Sequence, residues 1–396
     1  RNLHIQLGED TYMRGDFIGE NLNDGQDQLV LDFDFQPLQS NMRTISEIIP
    51  GFSAPRQFGK LGNILFSGKY QMIFGYNHVV YGDFSTDIGH GNMDMSLDLT
   101  KGLDKAKYSG FLNMQAFNLA SWTGDKDFGN TTFHVRIANG TGLTLPTVNT
   151  TLSGVIDTMY YKGYNYRNID MNGTFEQFVF NGKLGIQDPN IDFNFDGSVN
   201  FRDSIPIYMF SANLNLLDMK ALHLTEKDWI LSGQVERIRM RAKTLDDLAG
   251  QVTLRKLRLV EDQTTVYKMD SLHLASLFRP NGDRYMLLRS DAADAYIEGR
   301  FNFATAPSNL FALLSKQYPQ LTRQIGLAPY DSTLLLNDSY ELTVRIKNTR
   351  NLTRLFAPDL DTLQNINIDG EVRAAAGRTR LRMRAPWIRY DGTQID

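Results

Sequence analysis

Along much of this chain apolar and polar residues alternate one by one. In Met93-Asp94-Met95-Ser96-Leu97-Asp98-Leu99 every second side chain is apolar. Successive side chains of a strand point to opposite faces, so this spacing predicts a strand with one wet and one dry face. Leu29, Leu31, Phe33 and Phe35 alternate in the same way with Val30, Asp32 and Asp34, and Ile191, Phe193 and Phe195 with Asp192, Asn194 and Asp196. Ile238 and Met240 stand between arginines. Leu342, Val344 and Ile346, then Leu381 and Met383, carry the pattern to the end of the chain.

The dipeptides Asn172-Gly173, Asn181-Gly182, Asp196-Gly197, Asn281-Gly282 and Asp369-Gly370 are of the kind that tight hairpins favour. They predict a meander of four short strands after Met171, at 174–180, 183–187, 190–196 and 198–201. If each strand with its turn takes about 14 residues, the chain holds about 28 strands. Helical spacing is rare. Ala306–Ile325 is the best helix, with Pro307 in its first turn and Pro319 ending or kinking it. Shorter ones are predicted at Thr44–Ile49, Leu217–Ala221 and Thr353–Leu363. Such pieces can cap a sheet, but they are too sparse for α/β layering.

Composition supports short strands and turns over disorder. Of 396 residues 42% are hydrophobic, 22% charged and 11% aromatic, with 32 Gly against 12 Pro. The absence of cysteine removes disulfides, thiolate metal sites and cysteine nucleophiles together. No apolar run reaches the roughly 20 residues of a membrane helix. The chain opens at Arg1 without a leader pattern and reads as a piece of something longer, with any anchor outside it. Its net charge of −4 is uneven: residues 1–200 carry 14 Lys and Arg against 22 Asp and Glu, residues 201–396 carry 27 against 23. Texture and charge change near residue 228, a soft boundary in an otherwise continuous β segment spanning 1–396.

Few motifs carry chemistry. Asp192, Asn194, Asp196 and Asp203, with Gly197 at the sixth position, follow the order of a calcium loop and look like a dockerin repeat. Phe193 and Phe195 continue the strand alternation through it, and Ile205-Pro206 blocks the following helix, so strand and turn are expected and no metal is assigned. Arg237, Arg239 and Arg241, and Arg378, Arg380, Arg382 and Arg384, are read as solvated strand faces, charged to blunt pairing with other chains. A nucleic-acid partner is not expected; anionic lipid headgroups are a milder possibility. Tyr160, Tyr161, Tyr164 and Tyr166 could stack on a sugar, although aromatics beside glycine are common in strands. The six histidines are scattered, and no nucleophile elbow, phosphate loop or dinucleotide fingerprint is present. The expectation is a non-enzymatic chain without a cofactor.

From Tyr108 to Leu224 the sequence resembles the repeat of bacteroidete members of the TamB/AsmA-like family. The resemblance runs through Tyr108-Ser-Gly-Phe-Leu-Asn, Phe117-Asn-Leu, Leu152-Ser-Gly and Tyr160-Tyr-Lys-Gly-Tyr-Asn-Tyr-Arg-Asn-Ile169. It continues through Met171-Asn-Gly-Thr-Phe, Phe180-Asn-Gly-Lys-Leu, Asp188-Pro-Asn, Phe195-Asp-Gly and Phe210-Ser-Ala-Asn-Leu, and Ala385-Pro-Trp-Ile-Arg-Tyr-Asp-Gly392 is similar to the same repeat. The resemblance implies an elongated, curled antiparallel sheet with an open apolar groove. It also implies a parent protein anchored in the inner membrane and spanning the periplasm, which moves phospholipid to the outer membrane and supports outer-membrane biogenesis with a BamA-like partner.

Physical chemistry suits that role. Many half-apolar strands with few helices must curl, pair with a second sheet, or leave the dry face for a ligand such as a phospholipid acyl chain. Face alternation names the lining as Phe178, Phe180, Leu184, Ile186, Ile191, Phe193, Phe195, Met93, Met95, Leu97 and Leu99. Two alternatives stand beside the groove: a scaffold whose free sheet edge templates outer-membrane strands, and a compact secreted carbohydrate-binding sandwich.

Overall fold

A computed structural model describes residues 3–25, 28–48, 54, 56–74, 76–303, 305–317, 319–320, 338–349, 364–386, 388–390 and 393–395. The fold is all-β: 21 strands belong to one open antiparallel sheet, and a second sheet has only two, β22 (Ile388–Tyr390) and β23 (Thr393–Ile395). A sandwich needs two sheets of comparable size, so the compact-sandwich alternative fails here. Among the described residues no helix is long and apolar enough to cross a membrane.

The chain divides into two compact units, Arg1–Arg202 with Lys220–Glu226, and Asp203–Met219 with Lys227–Asp396. The first holds β1 (Leu3–Leu7), β2 (Thr11–Glu20), β3 (Val30–Asn41), β4 (Asn63–Ile73), β5 (Asn77–Thr86) and β6 (Gly89–Asp98). It continues with β7 (Lys107–Asn118), β8 (Phe128–Thr141), β9 (Asn149–Tyr161), β10 (Tyr164–Glu176), β11 (Val179–Asp188) and β12 (Ile191–Asn200). Each strand pairs with the next in sequence, a pure meander. The second unit repeats the scheme with β13 (Ile207–Asp218), β14 (Trp229–Arg241), β15 (Ala249–Glu261), β16 (Thr265–Phe278) and β17 (Arg284–Ser290). There follow β18 (Ala293–Arg300), β19 (Ser339–Asn348), β20 (Gln364–Arg373) and β21 (Arg378–Arg384), again paired in order.

The strands are longer, and therefore fewer, than the turn signals predict. Of the five dipeptides only Asn281-Gly282 lies in a turn, where Gly282 has a φ of 82°. The other four glycines lie inside strands. Gly173, Gly182 and Gly197 form one register row across β10, β11 and β12. There the partner backbone stands where a side chain would be: a Cβ on Gly182 would lie 2.4 Å from the Gly173 Cα. The four predicted short strands are thus the end of β10 with β11 and β12. The hairpin between β10 and β11 turns at Gln177 and Phe178, both with positive φ (45° and 67°), as a two-residue type I′ turn requires.

Among the described residues three short α-helices accompany the sheet: α1 (Met42–Ile48), α2 (Leu119–Thr123) and α3 (Ala306–Gln317). Leu217–Ala221, predicted as helix, is instead the end of β13 and a turn, because Leu217 and Asp218 pair with Leu231 and Ile230. The helix predicted at Thr353–Leu363, and the end of the one predicted beyond residue 320, lie outside the described residues. In the first unit α2 places Leu119 and Trp122 over Ile88, Met114 and Phe117, and Trp122 meets Phe58 edge to face at 5.5 Å. In the second, α3 sets Leu313 and Leu310 against Tyr340, Val372 and Ala374, where burial pushes the Tyr340 hydroxyl up to about 12.

Candidate functional site

Directly opposed residues of an antiparallel pair share a face, so cross-strand register shows what each face is made of. In the first unit one row runs through Leu3, Gly15, Phe35, Gly68, Gly82, Met93, Leu112, Val135, Gly154, Met171, Leu184 and Phe195. The next runs through Ile5, Met13, Leu38, Phe66, Phe84, Gly91, Met114, Phe133, Ile156, Ile169, Ile186 and Phe193. Every member of both rows is apolar or glycine. The row that flanks the first on its other side, on the opposite face, includes Asp16, Asp34, Lys69, Asp94, Arg136, Asn172, Lys183 and Asp196. Its few apolar members are open to water: Phe111 is 50% and Tyr81 62% exposed.

The apolar face is not uniformly free. Met13, Phe35 and Phe66 are buried in a local cluster with Phe33, Leu38 and Phe84, and α2 covers the face at Met114 and Phe117. Over β9 to β12 no helix packs substantially against the sheet among the described residues. There Leu152, Met171, Leu184, Ile186, Phe193 and Phe195 remain half-buried. Phe180 and Phe195 approach to 6.2 Å between ring centres.

Of the lining residues named from the sequence, Phe180, Leu184, Ile186, Ile191, Phe193 and Phe195 lie on the apolar face of β11 and β12. Met93, Met95 and Leu97 lie on that face of β6, and Leu99 follows its end, buried and hydrogen-bonded to the Tyr76 carbonyl at 2.9 Å. Phe178 is the exception: it sits in the β10–β11 turn, 37% exposed, and lines no strand row. Alternation missed Leu112, Val135, Leu152 and Met171 on the same face. Register shifts in β7 and β8, between Met114 and Phe117 and between Ala138 and Thr141, interrupt the period there, and Gly154 interrupts it in β9.

The remaining motifs resolve as strand structure. Asp192, Asn194 and Asp196 alternate along the extended β12 instead of wrapping a loop, so Asp192 and Asp196 stand about 13 Å apart and the three do not encircle one ion as a calcium loop does. Lys183 Nζ lies 3.5 Å from Asp196, and Asp203 stands beyond the strand. Among the described residues no group of three or more His, Asp or Glu could hold a metal. The four tyrosines form no single platform: Tyr161 opposes Tyr164 on one face, and Tyr160 is on the other. The Tyr164 hydroxyl is already donated to Asp188 at 2.5 Å. Arg237, Arg239 and Arg241 are exposed, but β14 is paired on both sides, so they guard no free edge. Arg378, Arg380, Arg382 and Arg384 lie on β21, which pairs only with β20 among the described strands.

No protein-family model matches this chain, and no curated protein or solved structure matches it either.

Proposed function

We propose that this chain is an internal segment of a periplasm-spanning, inner-membrane-anchored envelope protein, and that its apolar face shields phospholipid tails in transit to the outer membrane. The observation that carries the reading is the pair of register rows, twelve residues each, in which no polar side chain interrupts the apolar face. Each CH₂ of an acyl chain moved from water onto such a surface gains about 0.8 kcal/mol. A floor of Gly, Met, Leu, Ile and Phe supplies this without a fixed polar anchor, so a tail can slide along it. The open stretch over β9 to β12 is where a tail is placed. The resemblance to the TamB/AsmA-like family supports the cellular setting and the BamA-like partner of the parent protein.

Site-specific photocrosslinking in cells tests this reading. A benzophenone amino acid at Phe193, Phe195 or Met171 is expected to capture lipid. The same group at Asn194, Asp196 and Phe111 should not, and Phe111 controls for apolar character on the wrong face. Equal adducts on both faces, or none on the apolar one, would remove tail shielding as the function.

A further inference from the structure

The second unit has a polar face of its own, which tail shielding does not use. Across β14 to β21 one register row reads Arg237, Thr253, His273, Arg289, Asp294, Arg345, Asn367, Arg384. It contains four arginines and a histidine against one carboxylate. The first part of this row borders a concavity of about 880 Å³.

The acids around that concavity are already engaged. Asp294 pairs with Lys347 at 2.7 Å, and Glu236 with Arg255 at 2.9 Å. Asp291 accepts the backbone N–H groups of Asp270 and Ser271, the latter at 3.0 Å. The His273 ring is oriented by a hydrogen bond between Nδ1 and the Thr253 hydroxyl at 3.0 Å. Arg237 and Arg289 are exposed and have neither an ion pair nor a hydrogen bond among the described residues. Two uncommitted guanidinium forks beside acids that are already engaged make a site for a tetrahedral oxyanion, since guanidinium matches phosphate through two parallel N–H donors.

We infer that this concavity binds a phosphate ester, held by Arg237 and Arg289. The chemistry is shared by a phospholipid headgroup and a free phosphate ester, and the site uses residues of the second unit alone, whereas the tail-binding rows lie in the first, so it stands or falls independently of them.

Calorimetry on the full 396-residue chain at low ionic strength, with inorganic phosphate and with glycerol 3-phosphate, should show saturable binding. Arg237→Gln and Arg289→Gln should each weaken it about tenfold. Arg258→Gln, exposed and away from the concavity, should leave it within about twofold. Flotation with phosphatidylglycerol vesicles against phosphatidylcholine vesicles separates the sources. Vesicle binding lost in the two variants assigns the site to headgroups; binding of the soluble probes alone assigns it to a free phosphate ester. Absence of saturable binding by every probe, or an equal loss in Arg258→Gln, overturns the site. Both arginines are exposed, and unchanged circular dichroism and unfolding midpoints would exclude misfolding as the cause.

Discussion

Gly68 and Gly82 face each other across β4 and β5, and each occupies the place of the other's missing side chain. A Cβ on Gly68 would lie 2.6 Å from the Gly82 Cα, and one on Gly82 would lie 2.8 Å from the Gly68 Cα and 2.3 Å from the Ser67 carbonyl oxygen. Both clashes are with backbone, which cannot swing aside. Gly68 also has a φ of 149°, which side-chain-bearing residues rarely adopt. Gly82→Val should therefore cost about 2–4 kcal/mol of stability, read from the urea midpoint. Gly59→Ala, where nothing lies within 4 Å, should change it by no more than about 0.5 kcal/mol.

Arg284 is only 2% exposed and lies among Phe278, Phe301 and Phe303, at 5.0, 5.7 and 4.6 Å from the ring centres. Its Nε donates to the Ser276 hydroxyl at 3.1 Å and its Nη2 to the carbonyls of Leu245 and Leu248 at 2.8 and 3.0 Å. Burial pulls its pKa down, while Asp246 and Asp247 pull it back up. A lysine has no planar fork to reach these acceptors together. Arg284→Lys should lower unfolding free energy by about 2–4 kcal/mol, and Arg284→Met, which leaves the carbonyls unpaired, by a comparable amount.

His78 is 3% exposed on the apolar face, its Nδ1 2.9 Å from the Tyr70 hydroxyl, and burial lowers its pKa below 6.5. The folded chain thus keeps the ring neutral where the unfolded chain takes up a proton. Stability from this group is full above about pH 6.5 and is lost as pH falls toward the lower folded value. Between pH 7.5 and 5.5 the wild-type Tm should fall by about 2 °C more than that of His78→Gln, measured by thermal unfolding.

On β12 the two faces of one strand should separate cleanly in function. Phe193→Asp places a charge in an otherwise uninterrupted apolar row and should reduce lipid adducts at a crosslinker on Met171 at least fivefold; mass spectrometry of the adducts measures this. Asn194→Asp, on the wet face, should leave them unchanged.

The sequence by itself determined the fold class and the two-faced strands, because alternation is a local property: the pleat turns successive side chains to opposite sides whatever the partner strand is. Met93, Met95, Phe193 and Phe195 were legible in this way. Where strands end was not. An Asn-Gly pair is equally at home in a type I′ turn and at a point where two strands come too close for side chains, and only pairing with Gly182 places Gly173 in the second class. The hairpin meanwhile turned at Gln177-Phe178, which carries no glycine, so Phe178 moved from the lining to the tip. The tertiary structure alone decided register. Register joins Leu3 to Phe195 in a single apolar row and places Arg237 and Arg289 three strands apart in another, because each row is the sum of successive pairings between neighbouring strands, whose offset no local pattern fixes.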